Sequence, residues 1–218
     1  ASNFPAMARK TKEDAEHTYA ALLEAAEQVF FDKGVAHTTL ADIASAAGMT
    51  RGAIYWHFKD KSALLKALFE QAKLPMETML AELPACTAMD PLAVLRSMSV
   101  HALTMLAESP KQQRVFGILF HKCENVGEVA DVLQHELACR DECMARFETI
   151  MRQAVAQGQL PADTDVPLSL QTMHNFMMGT MREWLLDTHS YPLASAAPAM
   201  VDMLIAGLRT CPPRVKPA

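Results

Sequence analysis

Arg51, Tyr55, His57 and Lys61 stand close together in the string Thr50-Arg-Gly-Ala-Ile-Tyr-Trp-His-Phe58 and just beyond it, and their side chains suit contact with nucleic acid. A planar guanidinium such as that of Arg51 can address guanine with two hydrogen bonds, and the Thr50 hydroxyl can serve a base or a phosphate. Gly52 carries no side chain and lets backbone approach the nucleic acid. Tyr55, His57 and Lys61 have the donors of phosphate clamps, and Thr39 and Trp56 complete the candidate set. Arg51 and Tyr55 are four residues apart, so on a helix they share an outward face while Ile54 and Phe58 point to the core.

Residues 39–61 also contain what is needed to build that helix and a second one to brace it. Thr39 is placed as an N-cap, with Asp42 three residues on in a capping-box relation, and Leu40, Ile43, Ala44 and Ala47 make one apolar face. The small Ala44 permits a close helix crossing. Gly48 suits a turn that needs a left-handed backbone, and Thr50 can cap the next helix. This is a helix-turn-helix pattern, in which residues near the recognition-helix N-terminus reach base edges in the major groove. Asp60 is expected to cap the following helix, with Lys61 at its positive end.

A formal net charge of −5 argues against indiscriminate nucleic-acid binding, so the attraction must be local. Arg9, Lys10 and Lys12 form a basic arm without acids; the plainer reading is a solvated terminus. Within residues 38–61 the bases Arg51, Lys59 and Lys61 exceed the acids Asp42 and Asp60. No apolar run is long enough to span a bilayer, and Met7 leads directly into an amphipathic segment, so a cytoplasmic protein is expected. Residues 1–6, ahead of the plausible initiator Met7, read as an expression remnant without a part in function. Five cysteines, Cys86, Cys123, Cys139, Cys143 and Cys211, are expected as thiols.

The periodicity is helical throughout, and the fold class is all-α with about nine helices. Tyr19, Leu22, Leu23, Ala26, Val29 and Phe30 recur at helical spacing over residues 13–33, ending at Gly34. Residues 62–83 read as a long helix that Pro75 kinks. Breaks at residues 84–91, at Ser109-Pro110, at residues 125–127, at residues 158–161 and at residues 190–192 divide the rest into five helices. The resulting organisation is a helix-turn-helix DNA-binding domain over 7–58, a connecting lever helix over 59–83, and a larger ligand-binding and dimerisation domain over 84–211.

The larger domain is rich in flexible apolar side chains, fifteen methionines standing in the whole chain. Such side chains either form plain core or line a cavity for varied hydrophobic ligands. His174 could give such a ligand one hydrogen bond, or be a satisfied core histidine; Arg182 and Glu183 are left without a ligand role. His135, Cys139 and Cys143 lie one helical turn apart, with ligand types that suit zinc or copper. Three ligands make an incomplete structural site, so no metal and no cofactor is expected, a metal or redox sensor using Cys139 and Cys143 being the rival reading. No nucleophile has a recognisable surrounding motif and no glycine-rich phosphate loop occurs, so an enzyme is not expected.

Residues 7 to about 70 resemble the DNA-binding domain of the TetR family of bacterial transcriptional regulators. Arg9-Lys-Thr-Lys12, Gly34-Val-Ala-His-Thr-Thr39, Thr50 to Phe58 and Ile118-Leu-Phe-His-Lys-Cys-Glu124 are similar to the subgroup of AcrR, TtgR and MtrR, ligand-responsive repressors of multidrug efflux pumps; the second half matches them in patches. The resemblance implies a palindromic double-stranded DNA operator, a hydrophobic effector such as a drug, dye or phenolic, and a homodimer. Through the landmarks at residues 120–124 and 158–161 it implies a ligand site of Leu95, Met98, Ala102, Met105, Phe116, Phe120, Cys143, Phe147, His174, Met177 and Met178. In relatives the last two helices pack with a mate as a four-helix bundle, which implies an interface of Trp184, Leu185, Met200, Met203, Leu204 and Gly207; burial of those stripes within one chain is the alternative. An activator or dual regulator would use the same DNA reader.

Overall fold

The computed structural model describes residues 4–82, 90–123 and 130–215. Among them run nine α-helices: α1 (Phe4–Lys33), α2 (Leu40–Ala46), α3 (Arg51–His57), α4 (Lys61–Glu82), α5 (Pro91–Glu108), α6 (Pro110–Gly117), α7 (Ala130–Ala156), α8 (Val166–Trp184) and α9 (Leu193–Thr210). A π-helical turn, Ile118–Lys122, continues α6. No strand occurs among the described residues beyond an isolated bridge of Thr164 with Arg214. The class is all-α, as the periodicity requires, and among the described residues helices break at Gly34, Gly48, Ser109-Pro110, residues 158–161 and Pro192. Residues 84–89, 125–127 and Cys86 lie outside the described residues.

Two details differ from the sequence reading. Helix α1 begins at Phe4, not near Glu13. Pro5 falls in the first turn, where its missing N–H has no partner to lose, and no glycine or proline interrupts the chain from there to Lys33. Helix α4 is assigned as one helix through Pro75, whose side chain lies outside the described ones.

The chain divides into two compact units, residues 1–72 with 114–135 and residues 73–113 with 136–218. The division departs from the sequence-derived boundaries: residues 114–135, expected in the ligand-binding domain, pack with the amino-terminal helices. The reason is apolar burial. Val115, Ile118 and Val132 join Leu22, Ala26, Phe30, Ile43, Ile54, Leu65 and Phe69 in one core. Burying a side chain of this size is worth about 1.5–3 kcal/mol. In the second unit α5 packs along α9 and against α8. Leu92, Leu95, Met98 and Leu103 of α5 are buried, as are Ala197, Val201, Ile205 and Leu208 of α9. Arg96 holds Asp202 across that pair through Nε (2.5 Å) and Nη2 (2.9 Å), which lowers the Asp202 carboxyl below its ordinary value.

Candidate nucleic-acid interface

The local chemistry of residues 38–63 builds a short helix pair with defined starts. Thr39 Oγ1 accepts from the Asp42 amide at 3.1 Å while the Thr39 amide donates to Asp42 Oδ2 at 2.9 Å, a complete capping box. The Thr39 hydroxyl also donates to Asp42 Oδ2 at 2.6 Å, and these bonds lower the Asp42 carboxyl below its ordinary value. Gly48 makes the turn at φ +67°, in the left-handed region that an L side chain rarely adopts. Thr50 then caps α3 by accepting from the Ala53 amide at 3.2 Å. Its hydroxyl hydrogen remains to be donated to an acceptor outside the helix. Asp60 Oδ1 accepts from the Ala63 amide at 2.7 Å and starts α4, as expected.

With those starts fixed, α3 has one face in and one face out. Ile54 and Phe58 are fully or nearly fully buried, and Leu40, Ile43 and Ala44 of α2 lie in the same core. Arg51, Gly52, Tyr55 and Trp56 are exposed. The Arg51 guanidinium lies 5.6 Å from the centroid of the Tyr55 ring, a cation–π contact that holds both over one patch. Trp56 is 74% exposed, far above what an indole shows in a folded interior. It meets His57 edge to face at 4.5 Å. Tyr19 of α1 stacks on Phe58 at 5.1 Å and lies 5.8 Å from His57, bracing the end of α3. Partial burial lowers the His57 pKa below its ordinary value.

Lys61 occupies a more interior place than a phosphate clamp needs. Its Nζ donates to the Val35 carbonyl at 3.0 Å and the Thr38 carbonyl at 3.3 Å, which ties the start of α4 to the turn that precedes α2. Two of its three N–H donors are thereby directed inward. Arg9 and Lys10 fall on the first turns of α1, and their side chains lie outside the described ones.

In the second unit, Met98, Cys143 and Phe147 come together with Val94 and Ile150, so three of the eleven side chains expected around a ligand form one apolar cluster. Leu95 and Met177 are buried; Ala102, Met105, His174 and Met178 are half-buried. Burial, and secondarily the charge of Arg140, lowers the His174 pKa and keeps its imidazole neutral near neutral pH. Phe116 and Phe120, with ring centroids 5.8 Å apart, belong to the first unit and not with the others. The expected interface residues also separate. Met203 is 67% exposed, Gly207 is exposed, and Leu185, Met200 and Leu204 are half-buried. Trp184 is corrected: its ring is buried in its own chain, with Nε1 donating to the Tyr191 carbonyl at 3.0 Å, so it has little surface to offer a mate. Leu186, outside the expected set, is also exposed, at 64%. Cys123, Cys139, Cys143 and Cys211 form no disulfide, and His135 Nε2 lies 2.5 Å from Glu70 Oε1.

Comparison with known proteins agrees with this geometry. Residues 22–68 match the model for bacterial regulatory proteins of the tetR family, and residues 90–210 match the C-terminal region of MAATS-type transcriptional repressors. The chain is 37% identical over 212 residues to the HTH-type transcriptional regulator AcrR of Shigella flexneri, covering 97% of this chain and 99% of that one. It is 35% identical to TtgR of Pseudomonas putida, covering 94% and 98%. Among solved structures it is similar to NalD, the secondary repressor of the MexAB-OprM multidrug efflux pump of Pseudomonas aeruginosa (TM-score 0.82, 30% identity, 91% of this chain and 99% of that chain). It is also similar to SmeT, the Stenotrophomonas maltophilia efflux-pump repressor, in complex with triclosan (TM-score 0.78, 28% identity, 93% and 100%). A capped two-helix reader with Arg51 and Tyr55 on its open face, and family matches over both parts of the chain, make this protein a member of the TetR family of bacterial transcriptional regulators.

Proposed function

We propose that the protein is a cytoplasmic, dimeric repressor of a multidrug efflux operon that leaves a palindromic operator when a hydrophobic small molecule binds. The carrying observation is α3: seven residues capped by Thr50, anchored by Ile54 and presenting Arg51 and Tyr55 outward. One such helix reads few bases, so two related by a dyad are needed, spaced about 34–36 Å apart to meet successive major grooves. The exposed apolar residues Met203 and Leu186 and the half-buried Met200 and Leu204 supply the surface for that pairing. The cluster of Met98, Cys143 and Phe147, adaptable in shape, supports a hydrophobic effector. The SmeT relative is known with triclosan bound, and triclosan is accordingly the first effector to try. An effector that prefers the DNA-incompetent state by about 1–3 kcal/mol weakens operator binding from several-fold to about a hundredfold.

The test is salt-controlled fluorescence anisotropy on the DNA upstream of the protein's own gene, with triclosan, dyes and hydrophobic antibiotics added. Specific binding that at least one compound reverses supports the reading. Specific binding that none reverses returns the cluster around Met98 to plain core, and the absence of specific binding contradicts the operator assignment.

A further inference from the structure

We infer that the segment 114–122, which lies in the part of the chain matched to the C-terminal region of MAATS-type repressors, positions the operator reader, with Arg114 and Gly117 as its positioning residues. The inference rests on the operator-binding reading and adds to it residues outside the helix-turn-helix. The placement of α2 and α3 depends on the turn at residues 34–38, because the cap Thr39 follows it directly. That turn is held from two sides. The Val35 amide donates to the Lys122 carbonyl at 3.1 Å, at the end of the π-helical turn, and the Val35 carbonyl accepts from Lys61 Nζ at 3.0 Å. Beside the local bond from the Thr38 amide to its carbonyl (3.3 Å), Val35 thus receives one partner on its amide and one on its carbonyl from elements far apart in sequence. The left-handed Gly34 sits beside the same carbonyl: a Cβ there would lie 3.9 Å from the Lys122 oxygen.

Two further contacts fix the segment on α1. Arg114 Nε donates to Glu27 Oε1 at 2.5 Å, and Glu27 is 3% exposed, a carboxylate buried on the apolar side of α1. A buried charge is retained at such a place only when paired, and removing one partner is strongly unfavourable. One turn further on, Gly117 packs against Phe31: a Cβ at 117 would stand 3.2 Å from the ring Cε2, closer than ordinary van der Waals contact. Phe31 is in the last turn of α1, three residues before Gly34. Val115 and Ile118, between and beside these contacts, are buried in the reader's own core. The π-helical turn widens the backbone where Lys122 must present its carbonyl, and such turns are concentrated at functional positions. A side chain at 117 therefore presses on the Phe31 ring at the end of α1, three residues before the Gly34 turn, without touching any residue of the DNA-facing surface.

The experiment uses a duplex recovered from random-sequence DNA by selection with the wild-type full chain, and measures affinity by anisotropy at one salt concentration. Gly117→Val is expected to weaken binding to the selected duplex about tenfold or more while changing binding to an unselected duplex less than about twofold, since phosphate contacts tolerate misplacement that base contacts do not. Phe31→Ala added to Gly117→Val removes the ring that the new side chain meets and is expected to restore most of the loss. A purely structural role would lower both affinities together. If Gly117→Val lacks the wild-type helical circular dichroism, Glu27→Gln with Arg114→Met, which removes both charges of the pair, is measured in its place with the same expectation. Unchanged affinity for the selected duplex, or equal loss on both duplexes, overturns the inference; failure of the wild type to select any duplex overturns the reading beneath it.

Discussion

In the reader unit, Thr39, Thr50 and Asp60 each start a helix through a hydrogen bond that spans three residues. In the second unit, the ion pair joining α5 to α9 spans Arg96 to Asp202, and the apolar cluster around Met98 draws Cys143 and Phe147 from α7. The two regions use the same helical material but keep their working information at different ranges. A short cap is a property of a few neighbouring side chains and survives any change elsewhere. A cluster drawn from separate helices exists only once those helices have packed, and each member is chosen by volume and shape more than by chemical type. A family of regulators can hold its DNA chemistry constant on the first kind of element and vary its effectors on the second.

The comparison is most severely tried at Trp184, whose burial places it among the packed residues and not on an exposed face. Trp184→Ala is expected to cost about 3–5 kcal/mol, measured by thermal or denaturant unfolding; an unchanged midpoint with loss of dimer would return it to the surface. Thr39→Ala tests the other side. Losing the capping box is expected to cost about 0.5–2 kcal/mol and to weaken operator binding through α2, and an effect as large as that at Trp184 would mean that the reader is not locally determined. The smallest effect expected is in the pH dependence. Burial lowers the His174 pKa from 6.5, so the unfolded chain takes up this proton first as pH falls. Stability from this group is therefore full above 6.5 and is lost as the pH drops from there through the lowered folded value. Replacing His174 with Gln is expected to flatten the unfolding midpoint in that window, and a profile unchanged by the replacement would contradict the burial argument.

Most of the reader was legible in the sequence for the same reason. Thr39, Asp42, Gly48, Thr50 and Asp60 act within a few residues of themselves, and each was placed from its neighbours alone. What the sequence did not disclose was long-range. The role of Lys61 depends on two carbonyls more than twenty residues away, and the packing of residues 114–122 on α1 brings together segments that no local pattern connects. A signal was nevertheless present: Glu27 follows Leu23 by four residues and precedes Phe30 by three, which puts a carboxylate on the apolar stripe of α1 and calls for a distant cation. In the second unit the abundance of methionine announced adaptable packing but could not say which side chains would meet. Met98, Cys143 and Phe147 did meet, while Phe116 and Phe120 went to the reader's unit. Trp184 was misread because an aromatic in a sparsely charged helix looks the same whether it faces a mate or its own core.

The central claim is that Arg51 and Tyr55 on the open face of α3 read the operator. The most direct measurement is the affinity of Arg51→Ala and Tyr55→Ala proteins, shown by circular dichroism to be folded, for the wild type's selected duplex and for an unselected one. Loss of the bidentate base contact from Arg51 is expected to cost about 1–3 kcal/mol on the selected duplex, roughly five- to a hundredfold, with little change on the unselected one. Loss of Tyr55 is expected to weaken both by a smaller and more even factor. Folded variants that keep the full wild-type preference for the selected duplex would contradict the account.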